Sequence, residues 1–215
     1  LACAVNAAPS TIPSPPKLAA TGYVLMDYQS GQVIAQSKGE QRMEPASLTK
    51  MMTAYVVSHE LAADHIALTD KVLVSEKAWR MPGSRMFIEV GSKVSVEKLL
   101  KGLIIQSGND ASVALAEHVA GSEESFVPLM NAHAERLGLS GTHFANSTGL
   151  PHEDHYTTPH DMALLAAAII RDFPVHYDWY SQKSYKYNNI AQNNRNLLLF
   201  RDDSVDGLKT GHTEA

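Results

Sequence analysis

A single cysteine, Cys3, stands in the 215 residues, so no internal disulfide can form and cysteine pairing says nothing of the redox compartment. Long apolar runs are missing as well. The longest, Met162 to Ile170, is far short of the roughly 20 residues a helix needs to cross a bilayer, so no transmembrane helix is expected. Positive charge is not in excess: 18 Lys and Arg face 23 Asp and Glu, for a net charge of -5. Without clustered Lys and Arg, nucleic acid is excluded as the main partner. There is no internal repeat, and no low-complexity run beyond a short leader. What is present is the composition of an ordinary globular protein, 44% hydrophobic and 19% charged, long enough for one sizeable domain with a real core.

The opening Leu1 to Pro9 is built of small residues and reads as the tail of an export signal lacking its charged and apolar parts, which predicts an exported, periplasmic protein. Residues 9–16 carry four prolines and form a stiff, extended leader. The expected organisation is therefore a leader over 1–20 and one folded domain over 21–215.

Within that domain, Tyr23–Tyr28 and Gln32–Gln36 flank a Gln-Ser-Gly turn and predict a β-hairpin. A buried helix should begin near Ala46 and end between Leu61 and Asp64. Further strands are expected at Lys71–Ser75 and Met86–Val90, separated by a loop over Glu76–Arg85. Ser95 should cap a helix that ends near Gln106, and two more helices follow from Asp110 to Ala120 and from Glu123 to Leu137. Thr158-Pro159 opens a helix that Pro174 stops. Ser184–Tyr187, Leu197–Phe200 and Val205–Gly211 read as extended, the last carrying Lys209.

Chemistry concentrates first in Pro45-Ala46-Ser47-Leu48-Thr49-Lys50. Ser47 sits in the first turn of the predicted helix, and Lys50 lies one turn on, along the same face. A hydroxyl beside a lysine is a nucleophile and base only if burial or a second cation lowers the lysine pKa. Taken alone, the pair more often describes a capped helix start with a solvated lysine. Two further motifs follow in order, Ser107-Gly108-Asn109 and Lys209-Thr210-Gly211.

On these residues the chain, from Thr21 to its last residue, resembles the low-molecular-mass penicillin-binding proteins of the serine D-alanyl-D-alanine carboxypeptidase type. The resemblance implies an α/β (α+β) fold of the β-lactamase/transpeptidase kind, a helical lobe on an antiparallel sheet with the active site between them. It also implies further C-terminal strands, missing from this sequence, and often a second domain with a membrane anchor. By position, Ser47 resembles the acyl-forming nucleophile, Lys50 its proton acceptor and Ser107 the proton relay. Asn109 would hold the substrate amide and orient Lys50. Lys209 and Thr210 would receive the terminal carboxylate, and the N–H groups of Ser47 and His212 would form the oxyanion hole. The implied partners are peptidoglycan stem peptides and β-lactams, with no cofactor and no metal. Gly108 stands where class A β-lactamases have Asp, and no Glu-x-x-Leu-Asn is found, which favours a peptidase over a β-lactamase or esterase; a non-catalytic peptidoglycan-binding chain is the remaining alternative. His143, His152, His155 and His160, with Asp154 and Asp161 among them, have the residue types of a metal site, but their irregular spacing favours solvated or capping loop residues; Trp79 and Trp179 read as packing residues.

Overall fold

The computed structural model describes residues 15–212, so the export-signal tail and most of the leader lie outside it. A β-hairpin comes first, β1 (Tyr23–Met26) antiparallel to β2 (Val33–Ser37), with Tyr23 opposite Ser37. Its turn is fastened by Asp27, whose carboxylate accepts the Ser30 N–H at 2.8 Å, and Gly31 takes a φ of +69°.

A short 3-10 turn, Ala46–Leu48, then leads into α1 (Thr49–Ala62). Every residue of α1 from Thr49 to Ser58 is buried, so this helix runs through the core. Met52, Val56 and Val57 meet Leu99, Leu100 and Leu103 of α3 (Val96–Gln106), Val113 and Leu115 of α4 (Asn109–Ala120), and Phe126 of α5 (Glu123–Arg136). Each such side chain contributes roughly 1.5–3 kcal/mol by leaving water. The buried hydroxyls on α1 are bonded: Thr53 donates to the Ser147 carbonyl at 2.7 Å, and Ser58 Oγ lies 2.7 Å from His176 Nδ1. α6 (Pro159–Asp172), capped by Thr158, packs on α1 and on β1.

The antiparallel strands form three separate two-stranded ladders around these helices. β3 (Lys71–Leu73) pairs with β4 (Lys93–Ser95), and β5 (Ser184–Tyr187) with β6 (Ile190–Asn193). β4 is not expected from sequence; Ser95, which closes it, caps α3 as expected.

Four local readings are corrected. Met86–Val90 is not a strand, because the backbone donors of Met86, Phe87 and Ile88 are taken by the carboxylate of Asp110 at 2.9, 2.9 and 3.2 Å. The expected loop over Glu76–Arg85 begins with a helical turn, α2 (Glu76–Trp79), because the Ser75 hydroxyl accepts the Ala78 N–H. Leu197–Phe200 is a 3-10 turn, capped by Asn196, which accepts the Leu198 N–H at 3.1 Å. Val205–Gly211 pairs with no strand among the described residues. The structure also adds β6. Its turn uses the left-handed pair Asn188 and Asn189, with φ of 45° and 62°, an Asn-Asn signal for a tight hairpin. After α6 a short helix, α7 (Pro174–Tyr177), continues beyond the break at Phe173. Trp179 is buried, whereas Trp79 is 40% exposed with the Arg80 guanidinium 5.8 Å from its ring.

Candidate active site

Ser47 occupies the middle of the 3-10 turn, and Lys50 the first turn of α1 behind it. The Lys50 side chain is 1% exposed, and its Nζ lies 3.2 Å from Ser47 Oγ and donates to the Thr148 carbonyl at 2.6 Å. Burial holds the Lys50 ammonium well below the ordinary lysine range, and the positive charges of Lys209 and Arg195 push it further in the same direction. A lysine of lowered pKa within reach of a serine hydroxyl is the condition the sequence alone left open.

Placement of this pair depends on a loop far along the chain. Asn146 accepts the N–H groups of Thr148 and Gly149 at 3.1 and 2.7 Å and donates to the Leu150 carbonyl at 2.9 Å, which ties residues 146–150 into a tight turn. That turn presents the Thr148 carbonyl to Lys50. It also brings Gly149, at φ +85°, so close to the Ala46 carbonyl that a Cβ would lie 1.8 Å from its oxygen. Ala46 itself is held at φ +46°. His155 locks the other side: its Nδ1 accepts the Ala145 N–H at 2.9 Å, so Nε2 carries the proton and donates to Thr49 Oγ1 at 2.6 Å. His155 is thus a buried structural residue, not a solvated one, and burial lowers its pKa to about 4.

Ser107 ends α3 in the left-handed conformation, φ 61° and ψ 36°. Its hydroxyl is buried and has no hydrogen-bond partner among the described residues, leaving it available to a ligand. Asn109 starts α4, and its Nδ2 donates to the Pro82 carbonyl at 2.6 Å while its backbone N–H donates to Ser84 at 2.7 Å. Asn109 and Asp110 together fasten the 82–88 segment as one wall of the cleft. The hydrogen bond from Lys50 beyond Ser47 goes to the Thr148 carbonyl.

The opposite wall is the 209–212 segment. It packs against the serine turn so tightly that a Cβ at Gly211 would lie 3.1 Å from the Pro45 carbonyl. Lys209 Nζ donates to the Thr210 carbonyl at 2.8 Å, and burial, with Arg195 adding to it, lowers its pKa to about 7. A cleft of about 550 Å³ lies between the walls, lined by Ser47, Gly83, Ser84, Ser107, Arg195, Thr210, Gly211 and His212. A second hollow of about 310 Å³ meets it at Ser47 and His212, and adds Asn109 and Thr148 to Pro151. Five of the residues singled out from sequence, Ser47, Ser107, Asn109, Thr210 and His212, line this space, with Lys50 beneath Ser47 and Lys209 beside Thr210.

The family model described as peptidase S11, D-alanyl-D-alanine carboxypeptidase, matches residues 9–215. The chain belongs to this family. It is 48% identical over 205 residues to the D-alanyl-D-alanine carboxypeptidase DacC of Escherichia coli K12, covering 92% of this chain and 51% of that protein. It is 40% identical to DacF of Bacillus subtilis 168, over 88% of this chain and 50% of DacF. The chain thus spans about half the length of the curated relatives it matches. Penicillin-binding protein 5 of Haemophilus influenzae superposes with a TM-score of 0.90 at 46% identity, over 93% of this chain and 59% of that one. DacD of Francisella tularensis gives a TM-score of 0.91 at 36% identity, over 95% and 62%. The fold is that of the penicillin-binding peptidases, as the three motifs implied.

Two contributors to the site escaped sequence reasoning. Arg195 carries no local motif and reaches the cleft from the bend between β6 and the Leu197–Phe200 turn. Thr148 acts through its carbonyl, which every residue type possesses. The histidines at 143, 152 and 160 do not converge: His143 Nδ1 lies 2.6 Å from the Asp154 carbonyl, His152 Nδ1 accepts the Asp154 N–H at 3.1 Å, and His160 lies 3.4 Å from Glu40.

Proposed function

We propose that residues 21–215 form the peptidase domain of a serine-type D-Ala-D-Ala carboxypeptidase that removes the terminal D-alanine of peptidoglycan stem peptides in the periplasm. The observation that carries this reading is the buried Lys50 amine 3.2 Å from Ser47 Oγ, its pKa depressed by burial and by two neighbouring cations.

In the proposed reaction Ser47 Oγ attacks the carbonyl carbon of the scissile D-Ala-D-Ala bond as its proton passes to neutral Lys50. The backbone N–H groups of Ser47 and His212 stabilise the oxyanion. Collapse of the tetrahedral species breaks the C–N bond, and the Ser107 hydroxyl relays a proton from Lys50 to the departing D-alanine amine. Water then cleaves the acyl-Ser47 ester and regenerates the serine. Asn109 holds the substrate backbone at the junction of the two hollows.

The terminal carboxylate is received by Thr210, Lys209 and Arg195. The cluster thus serves two ends: it attracts the carboxylate and adds to the lowering of the Lys50 pKa that burial begins. A β-lactam presents a carboxylate beside a strained amide and should form the same acyl-serine.

Intact mass after mixing the chain with a penicillin tests the proposal. The expected result is a persistent gain of one inhibitor mass that disappears in Ser47→Ala. Rapid turnover without a persistent adduct would mean a β-lactamase, and a folded chain that binds stem peptide but never acylates would mean a non-catalytic protein.

A further inference from the structure

At the end of α1 remote from Ser47, about 14 Å along the helix axis from Lys50, histidine and carboxylate side chains gather for no purpose that acyl transfer requires. His59 and Glu60 lie on the last turns of α1, His133 faces them from α5, and His65 follows in the turn after the helix. We propose that His59, Glu60 and His133 form a binding site for a divalent transition metal of the zinc type, with His65 hydrogen-bonded to the Glu60 carboxylate.

The donor set suits the ion: two imidazoles and a carboxylate are ordinary zinc ligands, and magnesium or calcium would demand more oxygens. One donor atom from each of the three residues lies within 4.8 Å of the others. Tetrahedral zinc with bonds of about 2.1 Å needs its donors about 3.4 Å apart. The difference is a matter of side-chain rotation, and His59 is free to supply it because its side chain is 42% exposed.

His133 is the fixed point. It is 4% exposed and held edge-on between Tyr55, with ring centroids 5.5 Å apart, and His59, at 4.6 Å. Glu60 lies between two imidazoles, His59 Nδ1 at 3.4 Å and His65 Nδ1 at 2.6 Å. A metal here would tie the end of the central helix to α5, joining segments more than 70 residues apart, and so stabilise the helix that carries Lys50.

Calorimetric titration of the chelator-stripped chain with zinc sulfate is the test, beside magnesium chloride. One equivalent of zinc should bind, magnesium should not, and Tm should rise with zinc. His59→Ala, at a partly exposed position, should lower the zinc-free Tm only slightly but weaken zinc binding at least about tenfold, and Glu60→Gln should weaken it too. Failure to take up one equivalent of zinc overturns the proposal. So does uptake with unchanged affinity in both variants, which would put the ion elsewhere. Neither readout depends on acyl transfer.

Discussion

Replacing Gly149 by Ala tests whether the 146–150 turn sets the geometry of the serine–lysine pair. The added Cβ would lie 1.8 Å from the Ala46 carbonyl oxygen, 2.4 Å from its carbon and 2.9 Å from Thr49 Oγ1, at a φ of +85°. Two costs combine. The left-handed conformation costs an alanine roughly 1–2 kcal/mol, and relieving the overlap adds about 1–3 kcal/mol because backbone must give way. The total of about 2–5 kcal/mol corresponds to a fall in Tm of about 4–20 °C for a chain of this size. The kinetic effect should exceed the stability effect. Ala46 immediately precedes Ser47, and Thr148, whose carbonyl holds Lys50 at 2.6 Å, immediately precedes Gly149. A displacement of about 1 Å between nucleophile and base costs on the order of 100-fold in acylation. The assay is the second-order rate of labelling by a fluorescent penicillin, measured well below the variant's Tm. Gly121→Ala is the control, since Gly121 has a similar φ of +80° but open space around its missing Cβ. It should lose only the conformational term and acylate at the normal rate. Normal acylation by Gly149→Ala with an unchanged Tm would refute the reasoning.

Removing Arg195 as Arg195→Ala takes one positive charge from beside Lys50 and Lys209, so both pKa values should rise; the acid limb of acylation against pH then moves to higher pH, and an unmoved limb would count against the charge cluster. Asp110→Asn leaves one acceptor where a carboxylate served Met86, Phe87 and Ile88, and should cost about 2–4 kcal/mol in urea unfolding while slowing acylation through the loosened Gly83–Ser84 wall. His155 has a folded pKa of about 4 against an ordinary 6.5, so the unfolded chain binds more protons between those values, and stability present above pH 6.5 should drain away as pH falls towards 4. His155→Gln should flatten that slope, which denaturation midpoints across the range would register.

The helices and the three motifs were legible because their signals are local. Ser95, Ser122 and Thr158 each cap the helix that follows, and Ser47 and Lys50 share one helical face by spacing alone. The readings that failed did so where a distant side chain claimed the backbone. Met86–Val90 has the composition of a strand, yet its donors go to Asp110, more than 20 residues on. Read in sequence, Asp110 is merely an acid in the first turn of a helix. Leu197–Phe200 has a strand's side chains, but the cap at Asn196 bends it into a tight turn. Among the described residues, 205–211 finds no strand to pair with, so propensity there has no ladder to act on.

The same contrast explains which parts of the site were visible. Chemistry done by a side chain leaves a residue type in the sequence; positioning done by a carbonyl or by the absence of a Cβ does not. Thr148 holds Lys50 through its backbone, and Gly149 matters for the methyl group it lacks. Both depend on Asn146, whose side chain makes the turn, and Asn146 lies 96 residues beyond Lys50. If these contacts set the lysine, then Asn146, which touches neither reacting group, governs the rate through geometry alone. Asn146→Asp keeps the acceptor for Thr148 and Gly149 but loses the donor to Leu150, whereas Asn146→Ala loses all of them. Acylation rates should therefore fall in the order wild type, Asp, Ala, with the Ser47→Ala background abolishing all three; equal rates in the first three would locate the control of Lys50 elsewhere.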